Sequence, residues 1–161
     1  GPNGLADDLL KAAADYDQSI KDAGGIDIQI LGIGADGHLA FNMPGSSLVS
    51  RTRLKTLTKK TREDNARFFD GDISQVPKHC LTQGLGTIME SRHAIMLGFG
   101  KGKAQAVAEA VEGGVSAHWP ASILQMHPHA TVVVDEDAAD QLRLTNYYIN
   151  TYEGKPDWQG I

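Results

Sequence analysis

Three short apolar runs, 26–33, 93–99 and 130–134, each give way to glycine-rich or acidic residues, with helical spacing between them. That alternation constrains the chain more than any other feature. Strands separated by helical stretches do not pair as tight hairpins; they become parallel neighbours joined by crossovers. The sequence therefore predicts an α/β fold, a mostly parallel sheet flanked by helices. Such sheets hold ligands at the carboxyl ends of their strands. Two glycine turns fall at that edge, one starting at Gly32 and the other formed by Gly100, Lys101, Gly102 and Lys103.

The remaining segments follow from spacing. Leu5, Leu9, Ala12, Ala13, Tyr16 and Ile20 recur at helical steps before Gly24 and Gly25, which predicts an amphipathic helix over 5–21. Residues 41–50 read as a long loop, 51–58 as a strand, and 61–69 and 82–89 as helices. An Ala-rich helix is expected between Lys103 and Gly113, and "DEDAADQLRL" suits a helix N-terminus. The tail "GKPDWQGI" has no periodicity. At 161 residues and 41% hydrophobic, the chain fits a single domain, 1–161, able to bury a core.

Charge narrows the partners. With a net charge of −5 and cations scattered outside 51–67, a groove for nucleic acid is not indicated, although that cluster suits a small anion. No apolar run reaches membrane-spanning length. The single cysteine, Cys80, cannot form an internal disulfide, which predicts a reducing, cytoplasmic setting.

Gly32, Gly34 and Gly37 have the G-x-G-x-x-G spacing of a dinucleotide turn. That fingerprint needs a helix opening directly from the turn and an acid about twenty residues on. Here Pro44, Gly45, Ser46 and Ser47 break the helix, and 48–62 contains neither Asp nor Glu. The alternative is a backbone that passes close to a ligand while Asp36 and His38 project into the site. A neutral imidazole whose tautomer is set by a carboxylate can move protons near neutral pH. The same residues read equally well as a turn-forming Asp36 and a surface His38. His118, His127 and His129 do not make a convincing metal site, since Pro128 separates two of them and no cysteine joins them. Trp119 and Trp158 read as core or terminal packing, and Asp70 and Asp72 as capping residues.

Taken together, "LGIGADGHLAFNMPGSSLVSRTRLKTLT", "TREDNARFFDGD", "VPKHCLTQGLGTI", "AVEG" and "LQMHPHA" closely resemble the glucosamine-6-phosphate deaminases, of the glucosamine/galactosamine-6-phosphate isomerase family. The 6-phosphogluconolactonases share only the glycine-Asp-Gly-His turn. The resemblance implies a Rossmann-like sugar-phosphate isomerase architecture. It also implies conversion of glucosamine 6-phosphate to fructose 6-phosphate and ammonia, with neither metal nor organic cofactor. By the same resemblance His38 assists ring opening, Asp36 supports it, backbone at Gly32 lines the sugar, and Arg67 and Lys103 bind phosphate. Ser46, Arg53, Lys55 and Thr56 match positions that bind the effector N-acetylglucosamine 6-phosphate in regulated members, and homo-oligomers are common in the family.

The match departs from the family in two respects. Where the family has F-N-E-P, this chain reads Phe41, Asn42, Met43, Pro44. A thioether carries no charge and accepts hydrogen bonds weakly, so ring opening is expected to slow by roughly a hundredfold. The match also begins partway into the family sequence. The phosphate loop and the Asp that takes the C2 proton have no counterpart here, as if N-terminal strands were missing, and the chain alone is expected to be inactive or to pair through an open edge. A lactonase and a non-catalytic sugar-phosphate-binding module are the competing readings.

Overall fold

The computed structural model describes residues 1–160. Three strands, β1 (Ile28–Gly32), β4 (His93–Gly98) and β5 (Ala130–Val134), form a parallel sheet in the order β1-β4-β5. Between the first two in sequence comes a separate antiparallel pair, β2 (Arg53–Thr56) and β3 (His79–Thr82), registered with Arg53 opposite Thr82 and Lys55 opposite Cys80. Six α-helices complete the fold: α1 (Leu9–Asp22), α2 (Lys59–Asn65), α3 (Leu85–Met89), α4 (Ala104–Val111), α5 (Glu136–Ala139) and α6 (Thr145–Glu153).

The core lies on one face of the parallel sheet. Leu31, Ala94 and Met96 point down from the strands onto Leu85 and Ile88 of α3, Val107 and Ala110 of α4, and Ile123 and Leu124 of a 3-10 segment at Pro120–Met126. The opposite face is open. Ile28 is 58% and Ile30 65% exposed, and Phe99 lies bare just past β4. Uniformly apolar runs predict strands covered on both sides, whereas here alternate residues of 28–31 divide between core and solvent.

Helix α1 shows a second departure. Leu5 lies outside it and is fully exposed, while the inward stripe at Ala13 includes a carboxylate, Asp17. The N-cap is Asp8, which accepts the Lys11 N–H. Asp17 receives hydrogen bonds from the Thr52 hydroxyl and N–H, the Thr87 hydroxyl and Arg51 Nε, and Arg51 also pairs with Glu90. Burial pushes the Asp17 carboxyl up, but the Thr52 bonds and the Arg51 charge outweigh it and hold it below the usual range.

Several expected boundaries move. The predicted 61–69 helix starts at Lys59 and tightens to 3-10 over Ala66–Phe68. Residue 82 of the predicted 82–89 helix ends a strand, and the helix begins at Leu85 because Gly84 packs against the Ser50 and Arg51 carbonyls with no room for a side chain. "DEDAADQLRL" supplies only one turn, capped by Asp135. Helix α6 was not signalled by spacing and buries none of its residues. Trp158 is exposed rather than packed, whereas Trp119 packs against the core. Asp72 caps the short 3-10 turn at Ile73–Gln75. His127 is buried on the Ser91 carbonyl and His129 stacks on His93 at 3.7 Å, while His118 instead lies edge-on to Trp119; no metal-holding cluster exists among the described residues. No helix among them is long and apolar enough to cross a membrane.

Candidate functional site

β1 ends at Gly32, and the chain then folds into a bend closed by Gly34 N–H on the His38 carbonyl (3.0 Å) and Gly37 N–H on the Gly34 carbonyl (2.9 Å). Glycine is required twice. Gly37 has φ +77°, and a Cβ there would lie 2.7 Å from the Trp119 ring; a Cβ on Gly34 would occupy the space of His38 Nδ1. Ala40, just beyond, also sits in the left-handed region at φ 52°.

The bend brings Asp36 and His38 into contact, with Asp36 Oδ1 2.5 Å from His38 Nδ1 and 3.3 Å from the His38 N–H. An ionised carboxylate only accepts, so the proton of the neutral ring belongs on Nδ1 and Nε2 is the basic nitrogen. The imidazole is partly buried, at 27% side-chain exposure, and forms part of the wall of a cleft of about 560 Å³.

The same cleft is lined by Gly32, Arg67 and Lys103. Arg67 arrives on the 3-10 turn after α2 and Lys103 on the turn after β4, whose geometry depends on Gly100 at φ 81°. Asp135 fixes that turn by accepting the Gly100 N–H while its Oδ1 caps α5. Neither Arg67 nor Lys103 has a carboxylate partner among the described residues, which leaves both charges available to an anion such as phosphate.

Met43 does not line the cleft. Its sulfur faces the Thr61 hydroxyl at 3.8 Å, and Thr61 does line it. Asp64 and Asn65 also form part of the wall. The sequence reading missed all three, yet 61, 64 and 65 share one helix face ahead of Arg67, and that spacing was the available signal.

The four expected effector residues are divided. Arg53 and Lys55 lie on one face of β2, both close enough to influence Cys80, whose thiol burial pushes up to about 11. Thr56 alternates to the other face and meets His79 Nδ1 at 3.2 Å. The Ser46 hydroxyl is buried with no hydrogen-bond partner among the described residues. Arg53 is half-buried, which lowers its pKa, and it donates to Asn42 rather than to an acid.

Comparison with known proteins adds a lineage to this geometry. Residues 2–134 match the family described as glucosamine-6-phosphate isomerases/6-phosphogluconolactonase. A glucosamine-6-phosphate deaminase of Mycolicibacterium smegmatis is 66% identical over the whole chain, and one of Streptomyces avermitilis is 63% identical. The chain spans 62% of the length of each. A solved monomeric glucosamine-6-phosphate deaminase superposes with a TM-score of 0.83 at 46% identity, covering 87% of this chain and 58% of that one. A 6-phosphogluconolactonase from Trypanosoma cruzi, at 22% identity and a TM-score of 0.63, covers 88% of this chain and 55% of that one and shares the fold alone. The chain is thus a member of the glucosamine-6-phosphate isomerase/6-phosphogluconolactonase family.

Proposed function

We propose that these residues carry the ring-opening and phosphate-binding part of a glucosamine-6-phosphate deaminase site. The observation that carries this reading is one cleft lined by His38, whose ring is held by Asp36 from outside the lining, together with Arg67 and Lys103, neither of which is held by a carboxylate among the described residues. In this reading the cations hold the phosphate of the sugar. His38 Nε2 takes the proton of the anomeric hydroxyl and returns it to the ring oxygen, and Asp36 stabilises the imidazolium formed between the two transfers. The product of these two transfers is the open-chain sugar; its conversion, with water, to fructose 6-phosphate and ammonia also needs a base for the C2 proton, which these residues do not supply. The high identity to proteins named as deaminases favours this substrate over a lactone.

The test pairs binding with turnover. Titration calorimetry with glucosamine 6-phosphate is expected to give saturable binding, weakened by Arg67→Ala. Assays for ammonia and fructose 6-phosphate then report whether bound sugar turns over. Absent binding, together with hydrolysis of 6-phosphogluconolactone, would overturn the reading; binding that Arg67→Ala leaves unchanged would remove its phosphate site.

Three further points belong to the same proposal. Arg53 and Lys55 form the cationic part of an effector site for N-acetylglucosamine 6-phosphate, and an effector titration that leaves sugar binding unmoved would exclude it. The reducing cytoplasm suits the single cysteine. The open sheet face suits self-association, which sedimentation would detect.

A further inference from the structure

Asn42 is fully buried, yet it belongs to a loop otherwise rich in glycine and serine. Its amide is engaged on three sides. Nδ2 donates to the Leu39 carbonyl and to the Gln83 carbonyl, both at 2.9 Å, and Oδ1 accepts from Arg53 Nη1 at 2.9 Å. Both amide hydrogens are therefore used, one to close the turn at 39–42 and one to tie it to the end of β3. Leu39, itself fully buried, bridges back to Ile33 across the bend. His38 is thus held between two anchored points, the Gly34 contact on one side and Leu39 on the other.

Arg53 gives this arrangement its direction. Its guanidinium is half-buried and has no carboxylate partner among the described residues; besides Asn42 it reaches only the Arg51 carbonyl, at 3.2 Å. A cation on Oδ1 polarises the amide and strengthens the bonds its Nδ2 donates, because linked hydrogen bonds reinforce one another where water is excluded. We propose that Asn42 is a positioning residue for His38, and that the Arg53 charge on β2 sets the rigidity of the bend through it. The inference rests on the reading of His38 as the proton-moving group, but it concerns the bend without substrate and is tested without it.

Two variants break different arms of the contact. Asn42→Asp keeps an acceptor for Arg53 and removes both donors; Arg53→Met removes the cation and leaves both donors in place. Hydrogen exchange read by NMR at the Gly34 N–H reports closure of the bend, with Met96 in β4 as the internal reference. The His38 ring signals report its placement. Asn42→Asp is expected to speed Gly34 exchange about tenfold, and Arg53→Met to speed it by a smaller factor in the same direction, with Met96 unchanged in both. The His38 ring signals should shift in both variants. If both leave Gly34 exchange and the His38 signals as in the parent protein, or if Gly34 and Met96 change together, Asn42 is only a packing residue and the inference fails. Should Asn42→Asp not fold, Arg53→Met decides alone. Glucosamine 6-phosphate binding, measured separately on the unaltered chain, tests the functional reading.

Discussion

Gly34→Ala tests the site at its tightest point. Gly34 is not in the positive-φ region, so its backbone accepts an L side chain and the whole effect comes from space. The added methyl would occupy the position of His38 Nδ1 and approach Asp36 Oδ1 to 2.8 Å. To restore ordinary contact the ring must move by on the order of 1 Å, and misplacement on that scale costs about a hundredfold in rate. Stability should suffer little. The imidazole can swing into the open cleft, and the pair with Asp36, whose side chain is 48% exposed, is screened by solvent. A loss of about 1 kcal/mol lowers Tm by only about 2–4 °C. The assay combines initial rates of ammonia release, in a background that turns over glucosamine 6-phosphate, with His38 ring signals by NMR. A displaced ring with an unchanged kcat/KM would show that His38 does not move the proton. A collapse in Tm would show that the bend cannot yield as described.

Four other outcomes follow. In the same turnover-competent background, Met43→Glu places a carboxylate beside the Thr61 hydroxyl, and kcat/KM at limiting substrate is expected to rise by about a hundredfold; an unchanged value would remove any role for that carboxylate. Lys103→Ala removes one of the two cations proposed to hold the phosphate and should weaken sugar-phosphate binding by about ten- to a hundredfold in calorimetry. Asp17, held below the usual carboxylate range, contributes stability above its unfolded pKa of about 4 that is lost as pH falls through its lower folded value. Asp17→Asn should therefore lower Tm at pH 7 and flatten the decline of Tm below about pH 4, in melts recorded across that range. Cys80, pushed up to about 11, should alkylate slowly at pH 8, where about one thiol in a thousand is ionised; rapid labelling would contradict its burial.

The parallel strands and both glycine turns were legible because apolar runs and glycine punctuation are local signals, and the bend at 32–38 fell where the strand ended. The antiparallel partner β3 was not legible. "HCLT" is four residues long and begins with a histidine, and its pairing with β2 is set by contacts distant in sequence. Asp17 looked like one more polar residue on a helix, since nothing nearby announces the hydroxyls of Thr52 and Thr87 that meet it. Thr61, Asp64 and Asn65 carry no motif of their own, and only the fold brings them into one cleft wall with the first glycine turn. Arg67 and Lys103 could be named only through the family resemblance, and their place in one cleft depends on Asp135 and Gly100 shaping the second turn.

The carboxylate of Asp17 also determines where α1 can settle. Greasy contacts have no preferred direction, so a stripe of alanine and leucine would tolerate the helix sliding or rolling by a turn. An acid that needs donors from Thr52, Thr87 and Arg51 at once accepts only one seat. Through it the amino-terminal helix is keyed to the stretch that leads into Arg53, and an error in docking α1 would reach the bend around His38 without touching it.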